Sequence, residues 1–169
     1  MALARPKPKI VKGRRMDLGD LIGPESVIAS LKAKNKKHAL QLLAAKAEEI
    51  TKLDQRRILE TLLQREHLGS TGVGRGIAIP HGRVVGLNRM VCIFAKLDDP
   101  IPFDAMDNEP VDLMFLLLAP EHAGADHLKA LARISRLLRD PLALEKLHAS
   151  RDRAALHAVL TEPMASHAA

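Results

Sequence analysis

Residues 65–82 read Arg65-Glu66-His67-Leu68-Gly69-Ser70-Thr71-Gly72-Val73-Gly74-Arg75-Gly76-Ile77-Ala78-Ile79-Pro80-His81-Gly82, so a guanidinium, two hydroxyls and a glycine-rich backbone precede one histidine set behind a proline. A neutral imidazole attacks phosphorus when its second nitrogen is held as a hydrogen-bond donor, and the product is a phosphohistidine. The dianionic group so formed needs cations and N–H or O–H donors. Arg65 can supply a bidentate fork, and Ser70, Thr71 and the backbone at Gly72 and Gly74 can complete a cradle. Pro80 keeps Ile79 extended, and Gly82 lets another surface come close.

Competing chemistries fit less well. The glycines do not form G-x-G-x-x-G, they lead into a strand instead of a helix, and no G-K-[ST] follows, which argues against a nucleotide site. Ser70 lacks the G-x-S-x-G elbow of a hydrolase. His122 and His127, near Glu121 and Asp126, lie five residues apart across Gly124 without a cysteine, a poor metal set. No metal and no cofactor is expected. His38, His67, His148, His157 and His167 fall on polar or variable positions and are read as passive.

The elements that must position these groups follow from periodicity. Leu40, Leu42, Leu43, Ala47 and Ile50 predict one helix, and Ile58, Leu59, Leu62 and Leu63 a second, with Asp54 as its cap. Ile77-Ala78-Ile79 reads as a short strand stopped by Pro80. Residues 90–97 and 111–119 are apolar runs of the kind buried on both faces of a sheet. Asp126 is expected to cap a helix with the stripe Leu128, Leu131, Ile134 and Leu138, which places His127 in its first turn, where the dipole favours an anion over imidazolium. Helical patterns follow at 142–147 and 152–160. The fold class predicted is α/β, a mixed central sheet flanked by helices.

Composition narrows the function further. The 169 residues carry 26 Lys+Arg against 20 Asp+Glu, yet Arg5, Lys7, Lys9, Lys12, Arg14 and Arg15 account for the whole excess. The remainder is neutral, so the basic balance belongs to a flexible tail at 1–15, a domain at 16–162 and a short C-terminal tail at 163–169 follow, and Met16 is an alternative start. With three Phe and no Tyr or Trp, stacking platforms for nucleic acid are nearly excluded, and no specific nucleic-acid binding is expected. The single Cys92, in an apolar run, reads as a buried thiol, and the cytoplasm is the expected compartment, without membrane insertion. Residues 98–126 are rich in acids, read either as solvated loops or as a rim for a basic partner.

Residues 65–82, together with Pro100-Ile101-Pro102-Phe103-Asp104-Ala105, Pro110-Val111-Asp112-Leu113-Met114-Phe115-Leu116-Leu117 and His127-Leu128-Lys129-Ala130-Leu131, resemble the IIA proteins of the phosphoenolpyruvate:sugar phosphotransferase system, fructose/mannitol class. The likeness is greatest to the nitrogen regulatory branch and spans about 16–160. It implies that His81 is the phosphoryl acceptor, Arg65 the phosphate-supporting arginine and His127 a second site histidine. It also implies an HPr-like phosphocarrier of the NPr type as donor, and downstream regulatory targets such as potassium transport or sensor-kinase systems.

Such a protein is a phosphoryl-transfer component rather than a free-standing turnover enzyme. The alternative is a sugar-transport IIA component that passes phosphate to a IIB cysteine. No IIB- or IIC-like segment follows in the chain, and the Gly69-Ser70-Thr71-Gly72 loop resembles the regulatory branch more closely.

Overall fold

Two long apolar strands set the architecture. β5 (Val91–Ile101) and β6 (Val111–Pro120) pair antiparallel, with Val91 opposite Leu118 and Phe94 opposite Phe115. Because strand side chains alternate, Ile93, Ala95, Met114 and Leu116 face one layer while Cys92, Phe94, Leu113, Phe115 and Leu117 face the other. Both layers are covered, which explains why neither strand shows polar alternation. The computed structural model describes residues 17–163. The expectation of a basic tail at 1–15 lies outside them, as does that of a closing tail at 163–169, apart from Pro163 itself.

β1 (Val27–Leu31), a strand that periodicity did not signal, runs parallel to β5 at one edge. On the far side of β6 lie β3 (Ile77–Ala78) and β4 (His81–Val84), both parallel to it, and β2 (Gly72–Gly74) pairs antiparallel with β3. The six-stranded sheet is therefore mixed, in the order β1-β5-β6-β3-β2, with β4 also on β6. Pro80 does not end the pairing, as the sequence suggested. Its carbonyl accepts from Leu117 N at 2.9 Å and the ladder resumes at His81.

Helices α1 (Lys36–Thr51) and α2 (Gln55–Leu68) cover one face with Leu40, Leu43, Ile58 and Leu62. The predicted cap is present, since the Asp54 carboxylate accepts from Arg56 N. Helices α3 (Ala125–Leu138), α4 (Pro141–Ala149) and α5 (Arg153–Thr161) cover the other face. Two details of α3 differ from expectation. Gly124, with φ 51°, occupies the N-cap, and Asp126 sits inside the first turn, where its charge still suits the dipole. Leu128 is largely exposed, and Ala130 with Leu137 completes the buried stripe beside Ile134 and Leu138.

Several polar and titratable groups serve the fold. Lys96 Nζ donates to the carbonyls of Leu147, His148 and Ser150, tying the end of α4 to the sheet. The acidic stretch is similarly divided. Asp107 accepts from Arg75 N and Glu109 N, which holds its carboxyl below the usual range, and Asp112 pairs with His148 at 3.4 Å. Burial pushes the Asp112 carboxyl up. Cys92 is fully enclosed, its thiol pushed up to about 12 by burial, which leaves it inert at neutral pH. His157, read as passive, makes a structural contact, its Nε2 lying 3.0 Å from the Ile22 carbonyl.

Candidate phosphoryl-acceptor site

His81 opens β4 at the sheet edge, and its Nδ1 lies 2.8 Å from the Ile79 carbonyl. A carbonyl only accepts, so Nδ1 carries the proton and Nε2 keeps its lone pair. Arg65, in the last turn of α2, donates from Nε to that Nε2 at 3.3 Å and from Nη1 to the Gly69 carbonyl at 2.8 Å. The guanidinium is thus anchored at the helix end, with its charge beside His81 Nε2.

His127 comes from the first turn of α3, its ring centroid 5.6 Å from that of His81 in an edge-on arrangement. Its Nε2 is buried without a hydrogen-bond partner among the described residues. Burial, and then the nearby His81 and Arg83, hold the imidazole below its ordinary titration range. His127 is therefore neutral at pH 7 and available as a hydrogen-bond donor.

The sign of the resulting pH effect is fixed. The unfolded chain binds a proton at His127 more readily than the folded one, so its contribution to stability is full at neutral pH and is lost as pH falls below about 6.5. Histidine NMR is expected to give a midpoint for His127 below that of a free histidine, rising once a dianion is attached to His81. A midpoint at or above the free value would contradict this environment.

An open cavity of about 820 Å³ joins these groups, lined by Arg65, His81, Arg83 and His127 together with Leu68 and His67. No carboxylate lines it among the described residues. His67, read as passive from sequence, belongs to this lining, and Arg83 was missed altogether. The signal for Arg83 was its spacing, two residues beyond His81, which is one face of a strand; it was hidden because the chain after Pro80 was not read as a strand.

Ser70, Thr71, Gly72 and Gly74 do not line that cavity. The Ser70 hydroxyl donates to the Phe103 carbonyl at 2.6 Å, and Thr71 bonds through Oγ1 and N to the buried Glu66 carboxylate. Lys36 completes this network, 2.8 Å from Glu66 and over the Phe103 ring. Gly72 packs against Ala105 and Gly74 lies beside Asp107, so the glycine loop is used to lock the end of α2 to the 103–107 loop.

Gly82 does allow the close approach expected of it. A Cβ there would meet Thr61 Cγ2 of α2 at 2.7 Å, so β4 and α2 touch only because Gly82 has no side chain. Gly82→Ala is expected to destabilise the protein by about 1 to 3 kcal/mol by overpacking, and to draw Arg65 away from His81. Denaturant unfolding and transfer kinetics of that variant check both effects; parental stability and rate would contradict the contact.

A mixed sheet between two helical layers, with an imidazole of defined tautomer and an arginine at its edge, defines a class already resembled by the sequence. Residues 20–162 match the family described as phosphoenolpyruvate-dependent sugar phosphotransferase system, EIIA 2, and the chain belongs to it. Within that family it is similar to the nitrogen regulatory protein of Bradyrhizobium diazoefficiens, 57% identical over 153 residues that cover 90% of this chain and 100% of that protein. Among solved structures, the nitrogen regulatory protein IIA-Ntr of Neisseria meningitidis superposes with a TM-score of 0.81 at 32% identity, covering 85% of this chain and 99% of that one. IIA mannitol from Escherichia coli shares the fold, with a TM-score of 0.70 at 20% identity over 82% and 98% of the two chains.

Proposed function

We propose that this IIA protein takes a phosphoryl group onto His81 Nε2 from a phosphohistidine of an HPr-like carrier of the NPr type, and that its phosphorylation state governs which regulatory proteins it binds. The observation that carries the reading is the contact that sets the His81 tautomer: Nδ1 lies 2.8 Å from the Ile79 carbonyl, which can only accept, and Nε2 faces Arg65 in a cavity without carboxylates among the described residues. In the transfer, the donor's N–P bond breaks as the His81 Nε2–P bond forms. The electron pair of the broken bond returns to the donor nitrogen, and Nδ1 keeps its proton. Arg65 neutralises charge on the equatorial oxygens, and the neutral His127 supplies a donor. Donor and acceptor are both phosphohistidines, so the exchange lies near balance.

The cytoplasm is the compartment this reading requires, and among the described residues no helix is long and apolar enough to cross a membrane. Phosphorylation brings close to two negative charges to the sheet edge, enough to repel one partner or recruit an arginine-bearing one. The purified phosphocarrier is expected to label the protein with an acid-labile, base-stable group, and ATP alone is expected to give none. An acid-stable label on Ser70 or Thr71 would contradict the reading. Capture of partners by unmodified protein and by His81→Ala separates regulation from sugar transport: a IIB protein among them would favour transport.

A further inference from the structure

We propose that Arg83 is a second guanidinium of the phosphoryl site, gripping the group on His81 from the strand side while Arg65 holds it from the helix side. The inference rests on the reading of His81 as phosphoryl acceptor, and adds to it a residue that neither the resemblance nor the sequence singled out.

Side-chain direction on β4 makes the placement. Gly82 faces α2, where Thr61 abuts it, and Val84 is buried in the layer beneath α1 and α2. The alternate positions, His81 and Arg83, therefore share the opposite side of the strand. Both line the cavity, as does His127, and Arg83 is close enough to His127 to disfavour its protonation. Arg83 is exposed, and among the described residues no carboxylate lies within salt-bridge distance of it or of Arg65.

Charge completes the argument. Before phosphorylation the cavity holds two guanidiniums with no counter-charge, an arrangement that favours an anion. A phosphoryl group brings close to two negative charges, which two guanidiniums match while His127 stays a neutral donor. Arg65 already spends Nη1 on the Gly69 carbonyl, so it cannot offer its whole fork to the phosphate. Arg83 makes no such bond among the described residues. It binds the transferred group and takes no part in moving protons.

Arg83→Gln and Arg83→Lys test this. The equilibrium constant for phosphoryl exchange with the carrier compares free species on both sides, so it is blind to contacts made only while the two proteins are docked. Arg83→Gln is expected to shift that equilibrium toward the carrier by roughly ten- to a hundredfold, with Arg83→Lys recovering part, and unchanged circular dichroism. In the unphosphorylated protein, Arg83→Gln should also raise the His127 midpoint and weaken the perturbation of the His81 and His127 ring signals by inorganic phosphate.

A parental equilibrium in Arg83→Gln, with only the rate reduced, would overturn the proposal and assign Arg83 to carrier docking. Failure of the unaltered protein to accept phosphate from the carrier would instead overturn the reading of His81 beneath it.

Discussion

His81→Ala is expected to accept no phosphate from the carrier while keeping its fold. Among the described residues, Nε2 of His81 is the imidazole nitrogen that combines an unprotonated lone pair, a fixed tautomer and an adjacent guanidinium. The nearby His127 does not substitute for it, because its Nε2 is enclosed and, among the described residues, no carbonyl fixes its tautomer. Removing the ring costs two hydrogen bonds, one to the Ile79 carbonyl and one from Arg65 Nε, together about 1 to 2 kcal/mol, which is a shift of a few degrees in melting temperature. Radiolabelled transfer beside thermal unfolding checks this. Undiminished labelling of a folded His81→Ala protein would move the acceptor elsewhere.

Arg65→Ala carries the second large effect. A guanidinium beside the nitrogen that receives phosphorus acts on charge displaced in the transition state, and losing such a contact costs about 2 to 4 kcal/mol of barrier, roughly thirty- to a thousandfold in rate. Its structural role is smaller: partly exposed bonds to the Gly69 carbonyl and to His81 Nε2, and a cation near a helix C-terminus, together about 1 to 2 kcal/mol. Rapid-quench transfer should therefore fall far more than stability does. Arg65→Lys should recover the charge but not the fork, leaving an intermediate rate. If Arg65→Ala transfers at the parental rate, Arg65 is only an anchor for the end of α2.

Much of this site was legible because its chemistry is local. The spacing of Arg65 and His81 reflects the end of a helix and the start of a strand, and Asp54 and Ile58 announce that helix in the sequence. The two central strands were legible from their length and apolar character. What escaped depends on contacts between distant segments. The hydroxyls of Ser70 and Thr71 looked like phosphate ligands because nothing local shows that Phe103 and Glu66 claim them. Arg83 and β4 escaped because Pro80 reads as a stop, whereas β6 supplies a ladder that resumes after it. β1 is five residues long and half covered, too short for alternation to stand out.

The Gly124 cap illustrates the same limit. Asp126 has the chemistry of a cap, but the chain turns earlier, and the carboxylate falls in the first turn without a side-chain bond to the backbone. His127 still reaches the site because a shift of two residues leaves it within that turn. The acidic stretch, too, is partly accounted for inside the fold, by Asp107 bracing the glycine loop and Asp112 meeting His148.

In the proposed transfer, a fixed tautomer directs phosphorus to one nitrogen of one histidine. Nitrogen-15 NMR of the carrier-phosphorylated protein, labelled at its histidines, reads this from the nitrogen–phosphorus coupling. A single phosphoryl group is expected on His81 Nε2, with Nδ1 still protonated against the Ile79 carbonyl. Coupling at His81 Nδ1, or at any other histidine, would contradict it.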